Sequence, residues 1–325
     1  MTGVLLGPLD PATYLTHPLH RVERAWMETN CYADLWIEVL HALGAEPVAC
    51  LAFTLALDFE GDQWTFFKPP LTDLNLLYGI DVQELNLWRP LPDHVAEQVE
   101  RGRLVLAEVD AFYLPDTRAT DYQTQHTKTT IGIHTVNVAQ KRLGYFHNAG
   151  YHALEGEDFA GLFKPPAAPE QLPPYVEFAK LDRFQRLSSK ALLTRALKLT
   201  REHLARRPGS NPVGRFAPRF LEDLERLKSG ALPSYHTYAF ATIRQLGAGF
   251  ELAAHFLRWL EQQGEPSHTA TVEDFESISQ SAKAMILKAA RAVATRKSVD
   301  FTALFSSMEA AWDSGMERLS SRYPP

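Results

Sequence analysis

The chain predicts an α+β fold: a papain-like N-terminal domain of mixed helices and antiparallel strands, followed by an all-helical domain. Three observations carry that expectation. The first half alternates helical and strand-like periods and ends in a hairpin-like strand pair. A run with five prolines, FKPPAAPEQLPP at 163–174, then interrupts the pattern. Beyond it the apolar period is helical to the end. The expected domains are therefore 1–165 and 175–325.

Residues 1–25 read as irregular, punctuated by Pro8, Pro11 and Pro18. Asn30 to Gly44 reads as a helix with Asn30 as N-cap and Gly44 as stop. Its core face would hold Leu35, Val39 and Leu43 or Ala42, with Cys31 one turn ahead of Leu35. The apolar stretch from Pro47 to Leu57 is expected to be a strand, with Trp64–Phe67 as its partner. A short helix over Leu71–Tyr78, a strand over Val82–Leu87, a helix over 90–101 and a strong strand over Leu104–Phe112 follow. After a polar loop, Thr129–Val138 and Arg142–His147 form the strand pair. The helical half is expected over 188–206, 217–228, 235–263, 272–297 and 301–319, with breaks at Arg207–Pro212, Gly230/Pro233 and Gly264/Pro266.

Composition narrows the class. With 325 residues, 45% hydrophobic and 22% charged, the chain has globular composition and enough length for about two domains. The first residues have no basic start and no long apolar run, so neither a secretory signal nor a membrane span is expected there. Only two cysteines occur, Cys31 and Cys50, in different expected elements. That argues against a disulfide framework and fits a cytoplasmic location. The net charge of −6 is uneven: Lys180–Lys228 holds 13 Lys/Arg against 5 Asp/Glu, so the remainder is strongly acidic. Such a segment reads either as solvated helix faces or as a surface for an acidic partner. Arg195, Lys198 and Arg206 fall near one helix face and are the candidate docking residues.

Other chemistries find little support. Gly247-Ala-Gly249 lies inside a helical pattern and lacks the strand that precedes a phosphate-binding loop. No nucleophile-elbow serine motif occurs. The histidines at 126, 134, 147 and 152 match no tight metal-ligand spacing, so neither metal nor cofactor is expected. With a pI near 6.1, the electrostatic footprint for nucleic acid is weak.

One constellation can carry covalent chemistry. A cysteine in the first turn of a helix sits among unpaired N–H groups and the positive end of the dipole, which favour the thiolate. The alternative is a small apolar residue opening the buried face of a helix. A thiolate needs a base, and the base needs an orienting group. His126 stands where the strand after the polar loop begins, and Asn148 ends the following strand. His134, His147 and His152 compete for the base role, His134 most seriously.

Helix-borne Cys31, the strand Val-Asp-Ala-Phe-Tyr-Leu-Pro (Val109–Pro115), Tyr122 in the next loop, His126 before an apolar strand and a strand ending in a polar residue together resemble the N-terminal domain family of butirosin biosynthesis protein H. The likeness covers roughly residues 20–160. The chain as a whole also resembles an uncharacterised bacterial family with no assigned reaction. The first resemblance implies a papain-like acyltransferase that moves an aminoacyl group from an acidic carrier protein's thioester to an amine acceptor. It also implies Cys31 as nucleophile, His126 as base and Asn148 as orienting residue. Two departures stand out. Ala25, Trp26 and Met27 occupy the place of the usual oxyanion glutamine, which leaves the Cys31 N–H and the Asn30 side chain for that role. The strand after His126, Thr-Lys-Thr-Thr-Ile-Gly-Ile, is polar. A cysteine peptidase or amidase of the same fold, and a binding module without catalysis, are the alternatives. No membrane or nucleic-acid partner is expected.

Overall fold

The computed structural model describes residues 6–21, 24–164 and 172–324. Residues 165–171, most of the expected proline-rich linker, lie outside that range. The chain forms two compact units. The first comprises 1–22, 30–47 and 70–187; the second comprises 23–29, 48–69 and 188–325.

The first unit is α+β. It contains α1 (Pro18–Arg21), α2 (Cys31–Ala42), α3 (Leu71–Tyr78), β1 (Asp81–Glu84), α4 (Leu91–Glu100), β2 (Leu104–Asp110), β3 (Lys128–Asn137), β4 (Arg142–His147), β5 (Gly150–Glu155), α5 (Glu157–Leu162) and β6 (Val176–Lys180). The six strands form one antiparallel sheet in the order β1-β6-β2-β3-β4-β5. Alternation along each strand sends its residues to opposite faces. Val105, Ala107, Val109, Ile131, Ile133, Leu143 and Tyr145 build a core with Val95 of α4 and Phe159 of α5 on one face. The opposite face carries α2, which contacts β3, β4 and β5. Gly132 admits the helix there: a Cβ on it would stand 3.2 Å from Leu35 Cδ1.

Asn30 caps α2 as its sequence suggests, its Oδ1 accepting from Tyr32 N at 3.1 Å and Ala33 N at 2.8 Å. The expected one-sided core face is too narrow, because residues 32–40 are all buried, Asp34 and Glu38 included. The carboxylates are covered by groups that hydrogen-bond them, so amphipathic spacing understates how deeply this helix sits.

Gly79 closes α3 in the left-handed region at φ +73, and an added Cβ would strike the Arg183 carbonyl oxygen. Gly102 shares the sign, at φ +75, but has nothing within 4 Å of that position. Gly79→Ala should therefore cost about 2 kcal/mol or more, and Gly102→Ala only the left-handed penalty of about 1 kcal/mol. Urea unfolding of both variants reads the difference, and equal losses would refute the packing argument.

The second unit is helical: α6 (Ser189–Ala205), α7 (Pro212–Lys228), α8 (Leu232–Ala241), α9 (Ile243–Gln262), α10 (Thr269–Thr295) and α11 (Thr302–Arg322). α9 packs on α10, and α10 on α11. The expected helix over 235–263 is two helices meeting at Thr242. Helix α7 begins earlier than expected because Pro212 serves as its first residue behind the Asn211 cap.

The expected strand Pro47–Leu57 is instead a 3₁₀ helix over Pro47–Ala56, and Phe59–Trp64 form only an isolated bridge. A continuous apolar run without alternation has the same signature in a buried strand and a buried helix. Here the run belongs to the helical unit and is buried on all sides. The sheet also extends beyond the proline-rich run. β6 inserts between β1 and β2, and the helical region starts only at Ser189. Gly247 and Gly249 lie in α9, where their missing side chains admit Trp26 and Leu57.

Candidate active site

Cys31 is the first residue of α2, a free, half-buried thiol. Among the described residues its sulfur has no hydrogen-bond partner. The second cysteine, Cys50, is fully buried. Asn30, the expected oxyanion donor, is itself buried, with its side-chain oxygen engaged by the cap.

His126 lies just before β3, where the end of β2 pairs with the start of β3 through Asp110 and Lys128. Its Nδ1 is 2.5 Å from Asp110 Oδ2, and its ring stacks on Phe112 with centroids 4.5 Å apart. The imidazole is 69% exposed. A carboxylate on Nδ1 holds the neutral ring in the Nδ1–H tautomer and leaves Nε2 as the basic nitrogen. The dyad opens on a cleft of about 550 Å³, also lined by Glu108, Tyr113, Lys128 and Lys164. Lys128 Nζ donates to Glu108 at 2.6 Å.

Asp110 is the carboxylate that meets His126 Nδ1. Asn148, the orienting residue expected from the sequence, stands in the turn between β4 and β5 at φ +45. Sequence reading passed over Asp110, although one signal pointed to it. An acidic residue ending one strand faces the start of the next in an antiparallel pair, and His126 is two residues from that start.

The sheet register places the thiol relative to the dyad. Glu177, Leu106, Gly132, Phe146 and Tyr151 form one row across β6, β2, β3, β4 and β5. Helix α2 follows that row: Tyr32 Oη donates to Glu177 at 2.8 Å, and Leu35 packs over Gly132. Asp110 shares the face of Leu106 but lies four residues further along β2. That separation is about 13 Å at the ~3.3 Å rise of a strand residue. No hydrogen bond joins Cys31 to His126, and the cleft beside His126 is lined by Val109, by Leu91 of α4 and by Gly161 and Leu162 of α5, on the side of the sheet opposite α2.

The competing histidines have other partners. His134 Nδ1 is 3.3 Å from Tyr151 Oη, and burial lowers its pKa. His147 is buried, with Nδ1 2.5 Å from Asp116 Oδ2 and Nε2 2.8 Å from Thr129 Oγ1. Tyr145 Oη donates to the other Asp116 oxygen. Burial would raise the Asp116 carboxyl, but the hydrogen bond and charge of His147 outweigh it and hold the pKa low. His152, 3.9 Å from Asp116, is lowered by burial.

A second buried network braces α2. Glu38 accepts from Tyr14 Oη at 2.7 Å and His17 N at 3.0 Å, and pairs with His20 Nδ1. His20 Nε2 is 3.2 Å from Asp34. Burial pulls the His20 pKa down, but the hydrogen bonds to Asp34 and Glu38 prevail and raise it to about 9.

On α6, Lys198 is 3.7 Å from Glu202 and Arg206 bonds the Glu202 carbonyl and His203 Nδ1. Among the described residues no group of three or more His, Cys, Asp or Glu could hold a metal ion, and no helix is long and apolar enough to cross a membrane.

No curated protein matches the chain. Two family models do. One, described as the DUF1839 N-terminal domain, matches residues 15–181, and one described as the DUF1839 C-terminal domain matches residues 189–321.

Proposed function

Given that the chain belongs to the DUF1839 family and carries both of its domains, we propose that it is a cysteine-dependent acyltransferase acting on a carrier-protein thioester. One observation carries this reading: a free, half-buried thiol opens the capped helix α2 in a chain whose His126 is held by Asp110. The resemblance of residues 20–160 to the butirosin biosynthesis family supports the same chemistry.

In the proposed reaction His126 Nε2 takes the Cys31 proton, and the thiolate attacks the thioester carbonyl. The carrier thiol leaves with the proton returned by His126, giving an acyl-Cys31 thioester. A small-molecule amine then attacks, and its proton passes through His126 to the departing Cys31 sulfur. Asp110 keeps the imidazole in the competent tautomer. With water as acceptor the same groups give a peptidase or amidase.

Incubation with an aminoacyl carrier-protein thioester should leave a covalent acyl group on Cys31, detected by mass spectrometry of the intact chain. Cys31→Ala should abolish it and Cys50→Ser should not. Absence of the adduct across aminoacyl groups, with no transfer to added amines, would refute the reading. The basic face of α6 supports an acidic carrier as donor. Arg195→Glu with Lys198→Glu should weaken carrier binding about tenfold at low salt, and less at high salt. Unchanged binding at low salt would remove α6 from the docking surface.

One observation favours a binding module instead: no imidazole is hydrogen-bonded to Cys31 among the described residues. That reading predicts a Cys31 thiol of ordinary reactivity.

A further inference from the structure

Four exposed large apolar side chains of the helical unit gather on one of its faces. Leu232 and Phe240, 40% and 52% exposed, stand two turns apart on α8 with exposed His236 between them, a stripe at i, i+4 and i+8. Tyr238, on the other flank of α8, stands against Phe220 of α7, so the stripe is turned away from α7. Helix α8 packs along the second half of α10, where Tyr235 Oη donates to the Ile286 carbonyl at 2.5 Å. Leu287, 69% exposed, follows Ile286 and lies one turn along α10 from Lys283. Segment 23–29 belongs to the same unit and closes the end of the face. Arg244 Nη2 donates to the Glu28 carbonyl at 2.6 Å, and Lys283 Nζ donates to the Ala25 carbonyl at 2.8 Å. Met27, 66% exposed, lies between those two anchors. The Arg244 guanidinium also covers the Phe240 ring, 4.9 Å from its centroid.

The charge around this apolar surface has one sign. Helix α8 carries no Asp, Glu, Lys or Arg. Residues 281–299 carry Lys283, Lys288, Arg291, Arg296 and Lys297 and no Asp or Glu. Arg244 and Lys283 are held by backbone carbonyls, and among the described residues neither they nor Arg291 meet a carboxylate. Glu28 is the acidic residue at the border. Contiguous exposed apolar area of this kind marks an interaction surface, and the cations beside it select a negatively charged partner. A two-fold pairing of the face with itself would set Arg244, Lys283 and Arg291 against their own copies, like charge on like.

We propose that the α8/α10 face docks an amphipathic helix of an acidic partner protein. The apolar side of that helix covers Leu232, Phe240, Leu287 and Met27, and its carboxylates meet Arg244, Lys283 and Arg291. None of the residues assigned to acyl transfer or to the α6 docking surface takes part.

Fluorescence anisotropy of a labelled helical peptide, leucine on one side and glutamate on the other, follows binding to the full chain. The same peptide with lysine for glutamate and vesicles of phosphatidylglycerol are the comparison probes. Saturable binding of the glutamate peptide is expected, at least about tenfold tighter than the lysine peptide and weaker at high salt. Leu287→Asp should weaken it about tenfold or more, as should Lys283→Glu with Arg291→Glu. Leu287 is exposed, so Leu287→Asp should leave the thermal midpoint in place. No saturable binding, equal binding of the two peptides, or binding that survives both variants would overturn the proposal. Vesicle binding that Leu287→Asp abolishes, with no peptide binding, would overturn it in favour of a membrane surface. A dimer in sedimentation that Leu287→Asp dissolves would overturn it in favour of a second copy of the chain.

Discussion

Glu38→Gln is expected to destabilise the first unit by about 3–5 kcal/mol, the cost of breaking a buried ion pair from one side. The carboxylate is fully buried and accepts from Tyr14, His17 and His20 at once. Glutamine fits the space but brings no charge, so it leaves the His20 imidazolium with Asp34 alone. Urea unfolding of wild type and variant measures the loss. A loss under about 1 kcal/mol, the range of an exposed pair, would refute a buried charged network.

The same network sets a pH dependence. His20 has a folded pKa near 9 against 6.5 unfolded, so the folded state holds its proton more tightly. Its contribution is full below pH 6.5 and is lost as pH rises toward 9. His17 behaves oppositely. Burial, aided by the neighbouring His41 charge, lowers it to about 4, so the unfolded chain gains a proton first and stability falls as pH drops from 6.5 toward 4. Glu38 adds to the acid limb. Burial alone would raise its pKa, but His20 lowers it below 4.5, so its contribution is present above that value and lost further into acid. The unfolding midpoint should therefore peak near pH 6.5. In Glu38→Gln the alkaline limb should begin at lower pH, because His20 has lost one of its two carboxylates.

Alkylation of Cys31 is the second large effect. If His126 and Asp110 activate the thiol, labelling proceeds fast well below pH 8, with buried Cys50 as internal control. His126→Ala should slow transfer by about 10²–10⁴-fold, the usual contribution of general base catalysis. Asp110→Asn should give a smaller loss, since it frees the tautomer without removing the base. Labelling no faster than a model thiol, and indifferent to both substitutions, would assign Cys31 to structure and favour the binding module. Asn148→Ala separates the orienting roles: rates should follow Asp110.

Much was legible in the residues themselves. The Asn30 cap, the start of α2 at Cys31, the α3 helix, the β2, β3 and β4 strands and the helical character of the second half all follow from local rules. Capping, glycine stops and apolar periods act over a few residues and are written in the order of the chain. Non-local effects decided the rest. The apolar run from Pro47 became a 3₁₀ helix because burial on every side erases the alternation that marks a strand. Residues 176–180 became a sheet strand because the pairing groups are supplied by β1 and β2, about 70 to 100 residues earlier, a register that local periodicity does not encode.

The site divides the same way. Sequence alone singled out Cys31 and His126, since a helix-start thiol and a strand-start imidazole are local features with chemical meaning. Only the tertiary structure set Asp110 against His126 and turned Asp34 and Glu38 inward against His20. A hydrogen bond requires its atoms within about 3 Å of each other, and chain order does not reveal which distant side chains the packing of sheet and helices brings that close.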